Sequence, residues 1–114
     1  MKTKELISSY DKTNDIFVGK ISETRGYWAN YEFSKDIFLN MDKNHLPTSI
    51  QINGASNVLN VKKSVLENSN VSILIECSGK EIEFELFIAD KMIFNKKSLN
   101  IFDIPDFSYM IKAN

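Results

Sequence analysis

The chain predicts an α+β domain: a mostly antiparallel sheet, built as a meander of about seven strands, with one short helix near residues 57–67. Three observations predict it. Short runs of alternating apolar and polar residues recur, each bounded by Asn, Asp, Ser, Gly or Pro. Only residues 57–67 space their apolar side chains for a helix. Residues 71–88 read as a hairpin around which the other strands can assemble.

In the second arm of that hairpin, Ile82, Phe84, Leu86 and Ile88 alternate with Glu81, Glu83, Glu85 and Phe87. Side chains on a strand point to opposite faces in turn, so one face is apolar and the other acidic as far as Phe87. The first arm places Val71, Ile73, Ile75 and Cys77 on its apolar face. A two-residue turn at Ser78-Gly79 sets Cys77 opposite Lys80, Ile75 opposite Ile82, Ile73 opposite Phe84 and Val71 opposite Leu86. A slip of one residue would set Ile73 and Ile75 against glutamates. The same register puts Glu76 opposite Glu81, a like-charge pair expected to face water.

Taken in order, residues 5–10 hold Leu6, Ile7 and Tyr10 and predict a first strand, followed by the polar turn 11–14. Residues 16–21 alternate and predict a second. Residues 26–33 are dense in aromatics, with Tyr27, Ala29, Tyr31 and Phe33 on one face and Trp28, Asn30 and Glu32 on the other. Residues 37–41 and 48–53 predict two strands joined by a turn over 42–47 that Pro47 closes. Ser56 or Asn57 suits an N-cap, after which Val58, Val61 and Val65 share a helical face. After a turn at 89–91, residues 92–94 and 99–102 predict short strands around a polar break. Pro105 is expected to end regular structure, leaving Phe107, Tyr109, Met110 and Ile111 as an apolar segment that must dock or form an interface.

The 114 residues suit a single domain spanning 1–114. The net charge is −1, with seven basic and seven acidic groups before residue 58 and seven and eight after it. Nothing in that balance matches the basic footprint of a nucleic-acid binder. Arg25 is the one arginine among 14 basic residues, so bidentate reading of phosphate or guanine is nearly absent. Cys77 is the single cysteine, which excludes an intrachain disulfide and points to a reducing compartment. The first residues lack the apolar core of a signal peptide, and no stretch approaches the ~20 apolar residues of a membrane-spanning helix. A cytoplasmic chain is expected, coded by an AT-rich genome given its Lys, Asn and Ile content.

No catalytic, cofactor-binding or metal-binding set emerges. His45, the one histidine, sits in a Pro-containing turn without a nucleophile or orienting acid and reads as an exposed loop residue. Asp42 and Asn44 begin like a calcium loop, but Pro47 and Asn53 stand where Gly and Glu are needed. Cys77 faces the apolar side of its hairpin and reads as an inert buried thiol. Glu81, Glu83 and Glu85, with Glu76 across the hairpin, form an acidic stripe. It reads as a solvated sheet face or as a surface for a basic partner. Trp28, on the polar face of its strand, is the residue expected to anchor a protein interface.

Tyr10-Asp11, Asp15, the run Ile37-Phe38-Leu39-Asn40-Met41-Asp42 and the run Ile50-Gln51-Ile52-Asn53-Gly54-Ala55-Ser56 resemble a small prokaryotic family of domains of unknown function, the DUF "two-two-eight-three" type. The resemblance covers residues 6–57. It implies strands joined by Asp-rich turns, in which Asp11 and Asp15 form a turn. This chain departs from the family at Asn44-His45-Leu46-Pro47, where an Asp-Gly turn is usual, and in the aromatic content of residues 22–33. The family has no assigned catalytic residues, so none carry over. Its neighbourhood with toxin-like nuclease genes implies an antitoxin-like role by association.

The function expected is therefore a non-catalytic protein-interaction module. It would be a small prokaryotic or phage-borne regulator or inhibitor, antitoxin-like or anti-defence-like, that occludes a protein partner with a basic surface through Trp28, Glu76, Glu81, Glu83 and Glu85. The alternatives are a nucleic-acid binder that stacks bases on the aromatics of residues 27–33, and an enzyme with an unfamiliar site. The C-terminal apolar segment or an uncovered sheet edge could also support a homodimer.

Overall fold

Nine strands and two short helices follow one another in the computed structural model, which describes residues 1–25, 28–68 and 70–113. They are β1 (Lys2–Asp11), β2 (Ile16–Ile21), β3 (Ala29–Ser34), β4 (Ile37–Met41), β5 (Pro47–Asn53), α1 (Ala55–Leu59), α2 (Lys63–Asn68), β6 (Val71–Ser78), β7 (Glu81–Ile88), β8 (Lys91–Leu99) and β9 (Phe107–Lys112). The strands form one sheet in the order β3-β4-β5-β2-β1-β9-β6-β7-β8. The β-rich reading with a small helical part holds. The seven-strand meander does not: β9 returns to lie between β1 and β6, and β1 and β9 run parallel while every other pair is antiparallel. Alternation identifies strands, but it carries no information about which strand a terminal segment joins.

β1 is the strand on which the sheet turns. Its first part, Lys2 to Glu5, pairs with β9, and its second part, Leu6 to Asp11, pairs with β2 on the other side. The two half-sheets thereby face each other over one core. Phe17, Ile21, Leu39, Ile50 and Ile52 from one side meet Ile73, Ile75, Phe84, Leu86 and Ile111 from the other, all buried. Each such side chain contributes about 1.5–3 kcal/mol on leaving water. Gly19 marks the closest approach. A Cβ there would lie 2.9 Å from Leu6 Cδ1 and 3.7 Å from Ile73 Cδ1. The sheet ends, β3 and β8, return toward each other and side chains close the seam. Tyr31 stacks on Phe102 with centroids 4.2 Å apart, and Phe33 tilts against Phe84 at 6.0 Å.

The central hairpin keeps its predicted faces but shifts its register by two residues. Ser78 pairs with Glu81, Cys77 with Ile82, Ile75 with Phe84, Ile73 with Leu86 and Val71 with Ile88. The turn is Gly79-Lys80, with Gly79 at φ 61°, where a left-handed backbone costs glycine nothing. An even shift leaves every side chain on its face, so the apolar pattern cannot distinguish the two registers. Glu76 consequently stands opposite Glu83, not Glu81.

Three further expectations are corrected. Residues 91–99 make one strand, not two. The polar run Asn95-Lys96-Lys97-Ser98 belongs to an edge strand, where lysines and a bulge opposite Leu86 and Phe87 suit a solvated edge. Pro105 does not end regular structure, because β9 follows it. The single helix is two. Asn60, left-handed at φ 55°, stops α1, and α2 begins three residues later. Neither Ser56 nor Asn57 caps α1. Gly54 occupies the N-cap position and a carboxylate from another loop meets the helix start. The expectations for residues 26 and 27, at the start of the aromatic stretch, fall outside the described residues.

Candidate functional site

The outer face of the half-sheet β9-β6-β7-β8 carries the predicted glutamates, and register fixes what stands beside them. Alternation sends Ile73, Ile75, Phe84 and Ile111 inward, so Ser72, Leu74 and Glu76 of β6, Glu83, Glu85 and Phe87 of β7, and Ser108, Met110 and Lys112 of β9 point outward. Leu74 lies directly opposite Met110 on one side and Glu85 on the other. Phe87 lies opposite Met92. Leu74 and Phe87 are diagonal neighbours across β6 and β7, within reach of long side chains. The result is a connected apolar patch of Leu74, Met110, Phe87 and Met92, of which Met92 is 51 % exposed. A shallow groove of about 220 Å³ runs between Ser72, Phe87, Met110 and Lys112.

Glu76, Glu83 and Glu85 border this patch half-buried, and Glu81 extends the line, exposed. Local hydrogen bonds hold the carboxylates. Asn95 Nδ2 donates to Glu83 Oε2 at 2.9 Å and to Glu85 Oε1 at 3.1 Å, while Ser108 Oγ donates to Glu76 Oε2 at 2.9 Å. Lys97 stands opposite Glu83 in the ladder, yet the one salt bridge among the described residues joins Lys12 to Glu67 elsewhere. Four like charges from two neighbouring strands thus share one sheet face without an ion-pair partner among the described residues. The array can attract a basic surface, and its donors orient it in advance.

Trp28, the other predicted anchor, has a side chain 71 % exposed just before β3, in the other half-sheet, while its backbone N–H donates to the Met41 carbonyl at 2.6 Å. The structure therefore does not bring Trp28 and the glutamates onto one half-sheet. Leu74, Phe87 and Met92 are residues of the patch that the sequence does not mark as a site, and Met110 enters there only within the C-terminal apolar segment expected to dock or form an interface. Leu74 and Phe87 carried a readable signal, since each is apolar on a face that alternation assigns to solvent.

A second constellation was also missed. Asp15, at φ 56°, accepts Tyr10 Oη–H at 2.5 Å and Ser56 N–H at 3.0 Å on Oδ1, and Ser56 Oγ–H at 2.6 Å on Oδ2. Its own carbonyl accepts Ala55 N–H at 2.9 Å. Burial works to raise the Asp15 carboxyl, but the hydrogen bonds from Ser56 and Tyr10 outweigh it and hold the group below the ordinary carboxylate value. Burial, then the bond to Asp15 and its charge, pushes the Tyr10 phenol up to about 12. Each polar group here is satisfied by another, and no member titrates near neutrality as a general base requires. The cluster ties the β1–β2 turn to the start of α1, a tertiary N-cap made by a residue 41 positions away.

The remaining candidates have structural work. Cys77 is buried, donates to the Ile104 carbonyl at 3.4 Å and accepts from Asn100 Nδ2 at 3.3 Å; burial and the Asp106 charge push its thiol up. Asp42 Oδ1 accepts the N–H groups of Asn44 and Leu46, an Asx turn and not a calcium loop. His45 is half-buried in that turn at φ 61°, not fully exposed. Tyr31 and Phe33, two rings of the candidate base-stacking stretch, close the seam of the sheet. Asp11 accepts both the backbone N–H and the side-chain amide of Asn14, as a turn-former does. No group of three or more His, Cys, Asp or Glu side chains suited to a metal occurs among the described residues, and no helix among them is long and apolar enough to cross a membrane.

Fold and face together define a β-rich chain with a nearly closed, nine-stranded mixed sheet and an acidic, apolar-centred outer surface. No protein-family model matches the chain, and no curated protein and no solved structure does either.

Proposed function

We propose that this chain is a protein-interaction module whose outer β9-β6-β7-β8 face docks a basic partner and occludes it. The observation that carries the reading is the connected patch of Leu74, Met110, Phe87 and Met92, bordered by Glu76, Glu81, Glu83 and Glu85 with no ion-pair partner among the described residues. Large aliphatic, Met and aromatic side chains surrounded by oriented polar groups are what hot-spot regions use. The apolar centre supplies affinity and the charged rim supplies orientation and on-rate. A chain that acts this way by occlusion fits a small prokaryotic or phage-borne regulator or inhibitor working in a reducing, cytoplasmic compartment.

A tagged pull-down from nuclease-treated lysate of the native host tests this. Wild-type bait retains a stoichiometric protein of basic surface. Bait carrying Glu81→Lys, Glu83→Lys and Glu85→Lys loses it. Retention of nucleic acid alone from untreated lysate would instead favour base stacking around Trp28.

A further inference from the structure

The outer β9-β6-β7-β8 face also constrains the form of what docks on it, an inference that rests on the outer-face reading above. β6 is paired on both sides, with β9 and β7, and β7 is paired with β6 and β8. Their backbone N–H and C=O groups are engaged within the ladder. A chain lying on this face meets side chains only and must satisfy its own backbone. A lone extended peptide over an apolar patch cannot do that, whereas a helix does. Register then gives the face a direction. Along β7, Glu81, Glu83 and Glu85 lead to Phe87, with Glu76 and Leu74 beside them on β6. Glutamates two residues apart on a strand stand about 6.7 Å apart. Side chains four residues apart on a helix rise about 6 Å. Across the three glutamates the mismatch is about 1.4 Å, which a long lysine or arginine side chain absorbs.

The width of the acidic strip selects a helix over a second sheet. Exposed Lys97 stands on β8 beside Glu83, and exposed Lys112 stands on β9 beside Ser72. The two strands between them, at about 4.8 Å each, match the ~10 Å width of one helix. A stacked sheet would carry further basic strands over the lysines. We propose that this face takes a basic amphipathic α-helix of the partner, laid along β7. Its Lys or Arg side chains at i, i+4 and i+8 meet Glu81, Glu83 and Glu85. Its apolar side chains at i+11 and i+15, on the same stripe, meet Phe87 and Leu74 and enter the groove of about 220 Å³ between Phe87 and Met110. Lys97 and Lys112 repel a basic helix that strays sideways and so hold it on β7. A second copy offers no such helix, since α1 and α2 have five and six residues.

Methionine-methyl NMR on the full chain tests it, because Met92 and Met110 report on the face, buried Met41 on the core and Met1 on the N-terminus. The probe is a blocked, alanine-rich peptide of about 18 residues with lysines at i, i+4 and i+8 and leucines at i+11 and i+15. Two further probes serve for comparison. One is the same peptide with two central alanines replaced by proline, which cannot form the helix. The other is a blocked hairpin with lysines at i, i+2 and i+4 of one strand and leucine at i+6. The helical probe shifts Met92 and Met110 saturably, leaves Met41 and Met1 unmoved, and binds about tenfold or more tightly than either comparison. Glu83→Lys with Glu85→Lys weakens it about tenfold, and a helical probe with glutamates in place of lysines restores binding to that variant. Equal or tighter binding of the hairpin overturns the proposal and leaves the outer-face reading with a sheet as partner. Equal binding of the proline peptide overturns it too, because the face then attracts charge without selecting a helix. No shift with any probe at millimolar concentration also overturns it. The outer-face reading is then judged separately, by whether the captured partner protects Met92 and Met110, which requires no helix.

Discussion

The two half-sheets share one core and one alternation rule, yet their outer faces differ. On the β1-β2-β5-β4-β3 half, each outward apolar residue has polar neighbours directly opposite. Ile7 faces Lys20, Ile16 faces Asp11 and Asn53, Val18 faces Ser9 and Gln51, and Phe38 faces Gln51 and Glu32. Neutral amides link across it, with Asn40 Nδ2 donating to Ser49 Oγ at 2.6 Å and Gln51 Nε2 to Asn53 Oδ1 at 2.8 Å. On the β9-β6-β7-β8 half, Leu74 faces Met110 and Phe87 faces Met92, with glutamates around them. Both faces contain apolar side chains. Only register, which sets neighbours, separates scattered residues from a patch.

That contrast can be broken most sharply at its apolar centre. Replacing Phe87 by Lys lowers affinity for the captured partner by about 100-fold or more, a loss of roughly 3 kcal/mol as expected of a buried anchor. The mirror change Phe38→Lys leaves Kd within about threefold, and titration calorimetry on both variants reads the difference. A smaller effect belongs to the charged border. Glu83→Lys with Glu85→Lys slows association about tenfold and flattens its dependence on ionic strength, because rim charges act on encounter. Stopped-flow kinetics at two salt concentrations check this.

The Asp15 cluster sharpens the comparison differently, since it belongs to stability and not to either face. Asp15→Ala costs about 1 kcal/mol in urea unfolding, the usual price of a lost helix cap, with unchanged partner affinity. The Asp15 carboxyl titrates lower folded than unfolded, so its contribution is complete above about pH 4 and fades as pH falls through the folded value. The Tyr10 phenol titrates higher folded, at about 12, so its contribution is complete below about pH 10 and fades as pH rises toward 12. Unfolding series at acid and alkaline pH show both slopes in the wild type, and Tyr10→Phe makes the alkaline one shallower, leaving the part that Tyr109 and Cys77, also pushed up by burial, contribute. The smallest change is Trp28→Ala, which alters stability by less than about 0.5 kcal/mol, as for an exposed side chain, and is read by thermal unfolding.

Much of this fold was legible in the sequence. The bounds of β2, β4 and β7 follow from alternation and the turn residues that punctuate it. The buried state of Cys77 followed in the same way. What escaped was long-range. Nothing local tells Phe107 to Lys112 to enter between β1 and β6, or tells Asp15 to cap a helix at Ser56. A two-residue shift in a hairpin preserves every face, so Glu76 found Glu83 rather than Glu81. The glutamates of the candidate site were visible, whereas Met92 and Met110 join the patch only through pairings that the structure supplies.

Hydroxyl-radical footprinting of the chain, alone and bound to its captured partner, tests the central claim most directly, because Met92, Met110 and Trp28 report from the two half-sheets in one sample. Docking on the outer β9-β6-β7-β8 face predicts that oxidation of Met92 and Met110 falls several-fold in the complex while Trp28, 71 % exposed, is modified as before. Protection of Trp28 with Met92 and Met110 unchanged would contradict the account and move the interface to the other half-sheet.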